Sequence, residues 1–121
     1  KGEKRCVRFA RWSGRIPTNR EWADMSEDLR FDFNLRFQAL ADNARLPNPQ
    51  QMDSLANSDG IWEIKAKEKR VHWRAAAFEV GHKAWFVTHF FITSHGTKQI
   101  KKEAKTAQQA RREHFDNEGV I

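Results

Sequence analysis

Ala84-Trp85-Phe86-Val87-Thr88-His89-Phe90-Phe91-Ile92 is apolar at nearly every position. It lacks the two-residue alternation of a half-buried strand and is too short for a core helix, so it reads as a central strand covered on both faces. Immediately upstream, Gly81-His82 puts a glycine at the first position of a two-residue hairpin loop. Residues 70–80 then form the neighbouring extended run. Before a turn at Glu68 to Arg70, residues 61–67 alternate, with Ile61, Glu63, Lys65 and Lys67 on one face and Trp62, Ile64 and Ala66 on the other. Asn57-Ser58-Asp59-Gly60 is turn chemistry, and Gln50 to Ala56 reads as a connector.

Further upstream, Pro47-Asn48-Pro49 stops a helical region near Arg45. Inside that region Trp22, Met25, Leu29, Phe33, Phe37 and Leu40 recur at helical spacing, most simply as a core-facing stripe. Thr18 with Glu21 is a capping-box pattern beside Pro17, and Ser26 ahead of Glu27 and Asp28 is a second start signal, so the region is one helix or two. Residues 4–12 read as a first strand, broken by Ser13-Gly14. Downstream of Gly96, Ile100, Ala104, Ala107 and Ala110 make a narrow apolar stripe among Lys98, Lys101, Lys102, Lys105, Arg111 and Arg112, with Gly119 at the exit. The order β–α(α)–β–β–β–α predicts an α+β domain: a small antiparallel β-sheet packed by N-terminal helices and a basic C-terminal helix.

The 121 residues suit one domain over 1–121. Nine Phe and five Trp supply the apolar area for a core. No apolar run reaches the roughly 20 residues that span a bilayer, and Lys1 to Ala10 is basic. The single Cys6 forms no intramolecular disulfide and reads as a small packed residue. These features lead us to expect a soluble, cytoplasmic domain without a membrane partner. A net charge of +6 and a pI near 9.8 point to an anionic partner, of which nucleic acid is the commonest, or else to solubilising charge. The excess is uneven: +1 over residues 1–60 and +5 over residues 61–121.

Lys65 and Lys67 leave one face of their strand, and His72 and Arg74 one face of the next. Cations converging on a sheet face repel one another, and a phosphodiester relieves that repulsion most as a phosphorane develops. Arg holds two phosphate oxygens at once, while Lys is a compact point charge. The competing reading is an edge strand blunted against aggregation. His95 closely follows the apolar run. A histidine near a scissile phosphate can take a 2′-hydroxyl proton or protonate the leaving oxygen. With no tyrosine in the chain, the acid and base come from His, Glu, Asp or Lys. His89, in mid-strand, reads as a satisfied core histidine, and His114 as a solvated residue near a helix C-terminus. No Cys-x-x-Cys, His-x-x-x-His or phosphate-cradling glycine motif occurs, so we expect neither metal nor cofactor. The basic C-terminal helix faces a nucleic acid or is ordinarily solvated.

Asp59-Gly60-Ile61-Trp62-Glu63-Ile64-Lys65, then Val71-His72-Trp73-Arg74, then Phe86-Val87-Thr88-His89-Phe90-Phe91 and the lysine-rich helix occur in an order that resembles the RelE/HigB superfamily of bacterial type II toxins. The phage-derived HigB-like branch is the nearest in pattern. The resemblance covers roughly residues 26 to 112, and residues 1–25 match poorly. It implies a RelE/ParE-like fold and a ribosome-dependent mRNA endoribonuclease that cuts in the A site by 2′-hydroxyl attack without metal. It also implies a cognate antitoxin, often with a helix-turn-helix. Carried onto this chain, Lys65 and Lys67 become the catalytic strand lysines and Arg74 the phosphate-binding arginine. The family's paired lysines after the phenylalanine are replaced by Ile92-Thr93-Ser94-His95, so His95 or Lys98 takes the leaving-group role. The RNA-binding surface would then comprise His72, Trp73, Lys98, Lys101 and Lys102, with base stacking on Trp73 or Trp85. Two other readings keep the fold without cleavage: a ParE-like inhibitor of gyrase, and a non-catalytic RNA- or ribosome-binding module.

Overall fold

The computed structural model describes residues 6–43, 51–56, 59–81, 83–93 and 96–118. The elements are β1 (Cys6–Phe9), α1 (Pro17–Asp24), α2 (Glu27–Asn43), β2 (Met52–Ser54), β3 (Ile61–Glu68), β4 (Val71–Val80), β5 (Ala84–Ile92) and α3 (Gly96–Glu118). The strands form one sheet in the order β1-β5-β4-β3-β2. This is the expected α+β architecture. The apolar run is β5, whose residues from Trp85 to Phe91 are all buried.

Alternation divides the sheet between two cores. On one face Ile64, Ala66, Ala75, Ala77, Trp85, Val87 and Phe90 pack under Leu29, Phe33, Phe37 and Leu40 of α2. Phe33, Phe37, Phe90 and Trp22 are joined by ring contacts between 5.0 and 6.0 Å. On the other face Ile61, Ala76, Phe78, Phe86 and Phe91 pack with Ala104 and Ala107 of α3. Alanines on both the helix and the strand let α3 lie close to the sheet.

Several local readings change. β1 is shorter than residues 4–12 and pairs with β5 in parallel, not antiparallel. Two helices and three strands separate β1 from β5 in sequence, the long connection that a parallel pair requires. The connector holds the short β2, whose buried Met52 lies opposite Ile64. The hairpin loop is residues 81–83, closed by Val80 pairing Ala84 and by Lys83 N–H donating to Val80 O at 3.2 Å. Gly81 supplies φ +55° there, and His82 lies outside the described residues.

The Thr18–Glu21 capping box does not form. α1 starts at Pro17 with no side-chain cap, Thr18 is fully buried, and Glu21 instead accepts from Phe90 N–H at 3.0 Å. Packing α1 on β5 wins over local capping. The second start signal is real, because Ser26 Oγ accepts from Leu29 N–H at 3.1 Å and two helices result. Arg30 Nη1 donates to the carbonyls of Trp22, Ala23 and Met25 at 3.1, 3.2 and 2.6 Å, tying the end of α1 to α2. The Pro47-Asn48-Pro49 stop, Arg45 included, lies outside the described residues. Among those residues no helix is long and apolar enough to cross a membrane.

One irregularity decides where a histidine points. Ala76 pairs with His89 but Ala77 pairs with Val87, so Thr88 is an extra residue in β5, a bulge. Before it, odd-numbered β5 residues face α2. After it, Phe90 faces α2 and His89 faces α3. The Thr88 carbonyl is taken by the Trp12 indole N–H at 2.8 Å.

Candidate functional site

β2 covers β3 only from Trp62 to Ile64, although β3 continues to Glu68. Side chains and a loop take over the edge beyond. Lys65 N–H donates to Gln51 O at 2.8 Å, Arg36 Nε donates to Lys65 O at 3.1 Å, and Lys67 N–H donates to Asp32 at 3.3 Å. Around this edge lies a cleft of roughly 470 Å³ lined by Arg36, Gln51, Lys65, Ala66, Lys67, His72 and Arg74.

The register builds its charge. Lys65 lies opposite Arg74 and Lys67 opposite His72, joined by the two-residue turn Lys69-Arg70, where Lys69 adopts φ +55°. Directly opposed residues share a face, so all four sit on the α3 side of the sheet. Arg36 reaches the same cleft from α2. Among the described residues, no carboxylate belongs to this lining. Such a concave, cationic surface is suited to an anionic phosphodiester.

Glu63 holds Arg74 in place. Its Oε1 accepts from Arg74 Nε at 2.8 Å, with both side chains mostly buried, while Arg74 Nη1 donates to Trp73 O at 3.3 Å. Burial pushes the Glu63 carboxyl above its ordinary value, and the adjacent Arg74 and Lys65 pull it back. The orientation of the guanidinium is therefore set by protein contacts before any ligand arrives.

The structure gathers Lys65, Lys67, His72 and Arg74 as the two-residue spacing predicts. Trp73 does not join them, because alternation turns it to the α2 face beside Met25, Leu29 and Phe90. Trp85 is wholly buried and can stack on no base. His95 lies outside the described residues. Lys98, Lys101 and Lys102 are exposed on the first turns of α3 and are not part of the cleft lining. Gln99 Nε2 donates to Ile92 O at 2.7 Å, which puts those turns beside the end of β5. Cys6 is exposed rather than packed.

His89 is a satisfied core histidine: Nε2 lies 2.9 Å from Glu103 and Nδ1 3.0 Å from Thr88 Oγ1. The bond to His89 holds the Glu103 carboxyl below its ordinary value, against the opposing effect of burial. His114, expected in solvent, is 4% exposed. It accepts from Arg11 N–H at 3.0 Å and lies 4.3 Å from the Phe86 ring, because α3 turns it onto the sheet.

Sequence reasoning missed Arg36, Gln51 and Glu63. Glu63 was within reach, since it alternates onto the face of Lys65. Arg36 gave no signal, as its role depends on α2 crossing the β3 edge. Among the described residues no group of three or more His, Cys, Asp or Glu is arranged to hold a metal. No protein-family model matches the chain, and comparison with curated proteins finds no significant match.

Proposed function

We propose that this protein is the toxin of a type II toxin–antitoxin pair, a cytoplasmic endoribonuclease that cuts mRNA on the ribosome by 2′-hydroxyl attack without needing a metal. The observation that carries the reading is the cross-strand square of Lys65, Arg74, Lys67 and His72 in one cleft. The RelE/HigB resemblance supports it too, since its three strand motifs fall on β3, β4 and β5 in order and are followed by α3.

In this mechanism Arg74, fixed by Glu63, clamps the scissile phosphate. Lys65 and Lys67 stabilise the phosphorane as its charge grows. His95 or Lys98 assists the leaving oxygen, and the lysines opening α3 extend the phosphate-binding surface. The ribosome supplies most of the sequence selection by presenting the codon. A cognate antitoxin would cover the basic cleft with an acidic segment.

Primer extension on a defined mRNA, with and without translating ribosomes, tests this. Cuts within A-site codons that need ribosomes and vanish in Lys65→Ala/Lys67→Ala/Arg74→Ala are expected. No cuts from a protein that still arrests growth would overturn the nuclease and leave a gyrase inhibitor or a ribosome-binding module.

A further inference from the structure

We propose that His72 is the general base of this reaction, an inference that rests on the cleavage reading above. A 2′-hydroxyl attacks phosphorus only as its proton is removed, so the cleft must present a lone pair. Arg36, Lys65, Lys67 and Arg74 offer hydrogen-bond donors and no acceptor while charged. The Gln51 side-chain oxygen is too weak a base. Among the described lining side chains, the His72 imidazole is the one that carries a basic ring-nitrogen lone pair when neutral.

Position supports the assignment. His72 is exposed, lies directly opposite Lys67, and is two residues from Arg74 on the same face. Its backbone is pinned, since Thr93 N–H and Oγ1 both donate to His72 O, at 3.2 and 3.4 Å. A base on a strand paired on both sides is held more firmly than one on a loop. The cations surrounding it come from three elements: Lys65 and Lys67 on β3, Arg74 on β4 and Arg36 on α2.

The step balances without a co-reactant. The His72 imidazole takes the 2′-hydroxyl proton, the 2′-oxygen bonds to phosphorus, and the bond from phosphorus to the 5′-oxygen breaks. Lys98, in the leaving-group role given above, supplies that oxygen with its proton, leaving a 2′,3′-cyclic phosphate and a 5′-hydroxyl. Proton return from the imidazolium to Lys98 through solvent resets the site.

Single-turnover cleavage on ribosomes carrying a defined mRNA, with the full chain, tests the assignment. His72→Ala is expected to slow cleavage about 100-fold or more while keeping its fold by thermal unfolding. Added imidazole should restore rate in proportion to its unprotonated form, which a merely structural role would not allow. Wild-type rate in His72→Ala overturns the assignment, and so does a loss that no imidazole concentration rescues. A loss in His95→Ala with His72→Ala unaffected moves the base to His95. A wild-type protein that cuts nothing removes the cleavage reading itself, and the role of His72 with it.

Discussion

The α3 side of the sheet carries two charged regions with opposite designs. At β5, each nitrogen of His89 meets an oxygen, from Glu103 on one side and Thr88 on the other. At the β3–β4 edge, Lys65 faces Arg74 and Lys67 faces His72. Like charges directly opposed across strands destabilise a sheet. The first region therefore contributes to folding, whereas in the second the opposed cations weaken a pairing that Glu63 offsets at Arg74 and that a bound anion would offset further. That contrast separates a structural histidine from a candidate site more clearly than the presence of ionisable residues does.

The largest test of the contrast is the triple substitution Lys65→Ala/Lys67→Ala/Arg74→Ala. Cleavage should fall about 100-fold or more, with some loss of urea midpoint because Glu63 loses its partner at Arg74. Lys67→Ala alone should leave the midpoint level or raise it, and a steep drop in that variant would place Lys67 in the structure rather than the site. His89→Ala should do the reverse. It strands Glu103 and Thr88 and lowers unfolding free energy by about 2 kcal/mol in urea titration, with cleavage by the remaining folded protein retained.

Acid sharpens the same comparison. Glu103 has a folded value below its ordinary 4.5, so its contribution is fully present above that value and is lost as pH falls through the lower folded value. Stability curves of wild type and Glu103→Gln should converge as pH falls through this range. Glu21 runs the other way, because burial raises it. Its contribution is greatest below 4.5 and is lost as pH rises through the folded value. Glu21→Gln should therefore narrow its gap to wild type, or reverse it, on moving from pH 4 to pH 7. The smallest effect belongs to Glu63→Gln, whose amide oxygen still accepts from Arg74. It should leave the urea midpoint nearly unchanged and slow cleavage only severalfold.

What could be read from the chain depended on range. The alternation of residues 61–67 and the unbroken apolar β5 declare themselves locally, and with them the α+β class. The same parity that joins Lys65 to Lys67 and His72 to Arg74 sends Trp73 to the other face, so its exclusion from the cleft was already legible. β2 escaped because three residues carry no periodicity. The parallel pairing of β1 escaped because its partner, β5, begins at Ala84. Thr18 and Glu21 misled because tertiary contacts claimed both side chains. Arg36 enters the cleft through the way α2 crosses the sheet, which no local pattern encodes.

The extra residue at Thr88 carries a consequence for descent by insertion and deletion. Removing that codon would make Val87 and His89 consecutive partners of Ala77 and Ala76 in a regular ladder, so every residue after it would keep its face. His89 would stay beside Glu103, and Phe90 would stay in the aromatic cluster of Trp22, Phe33 and Phe37. The losses would be local: the Thr88 hydroxyl beside His89 Nδ1 and the carbonyl that takes the Trp12 indole N–H. A second inserted residue that the ladder could not bulge out would be the damaging event, because it would turn the rest of the strand over.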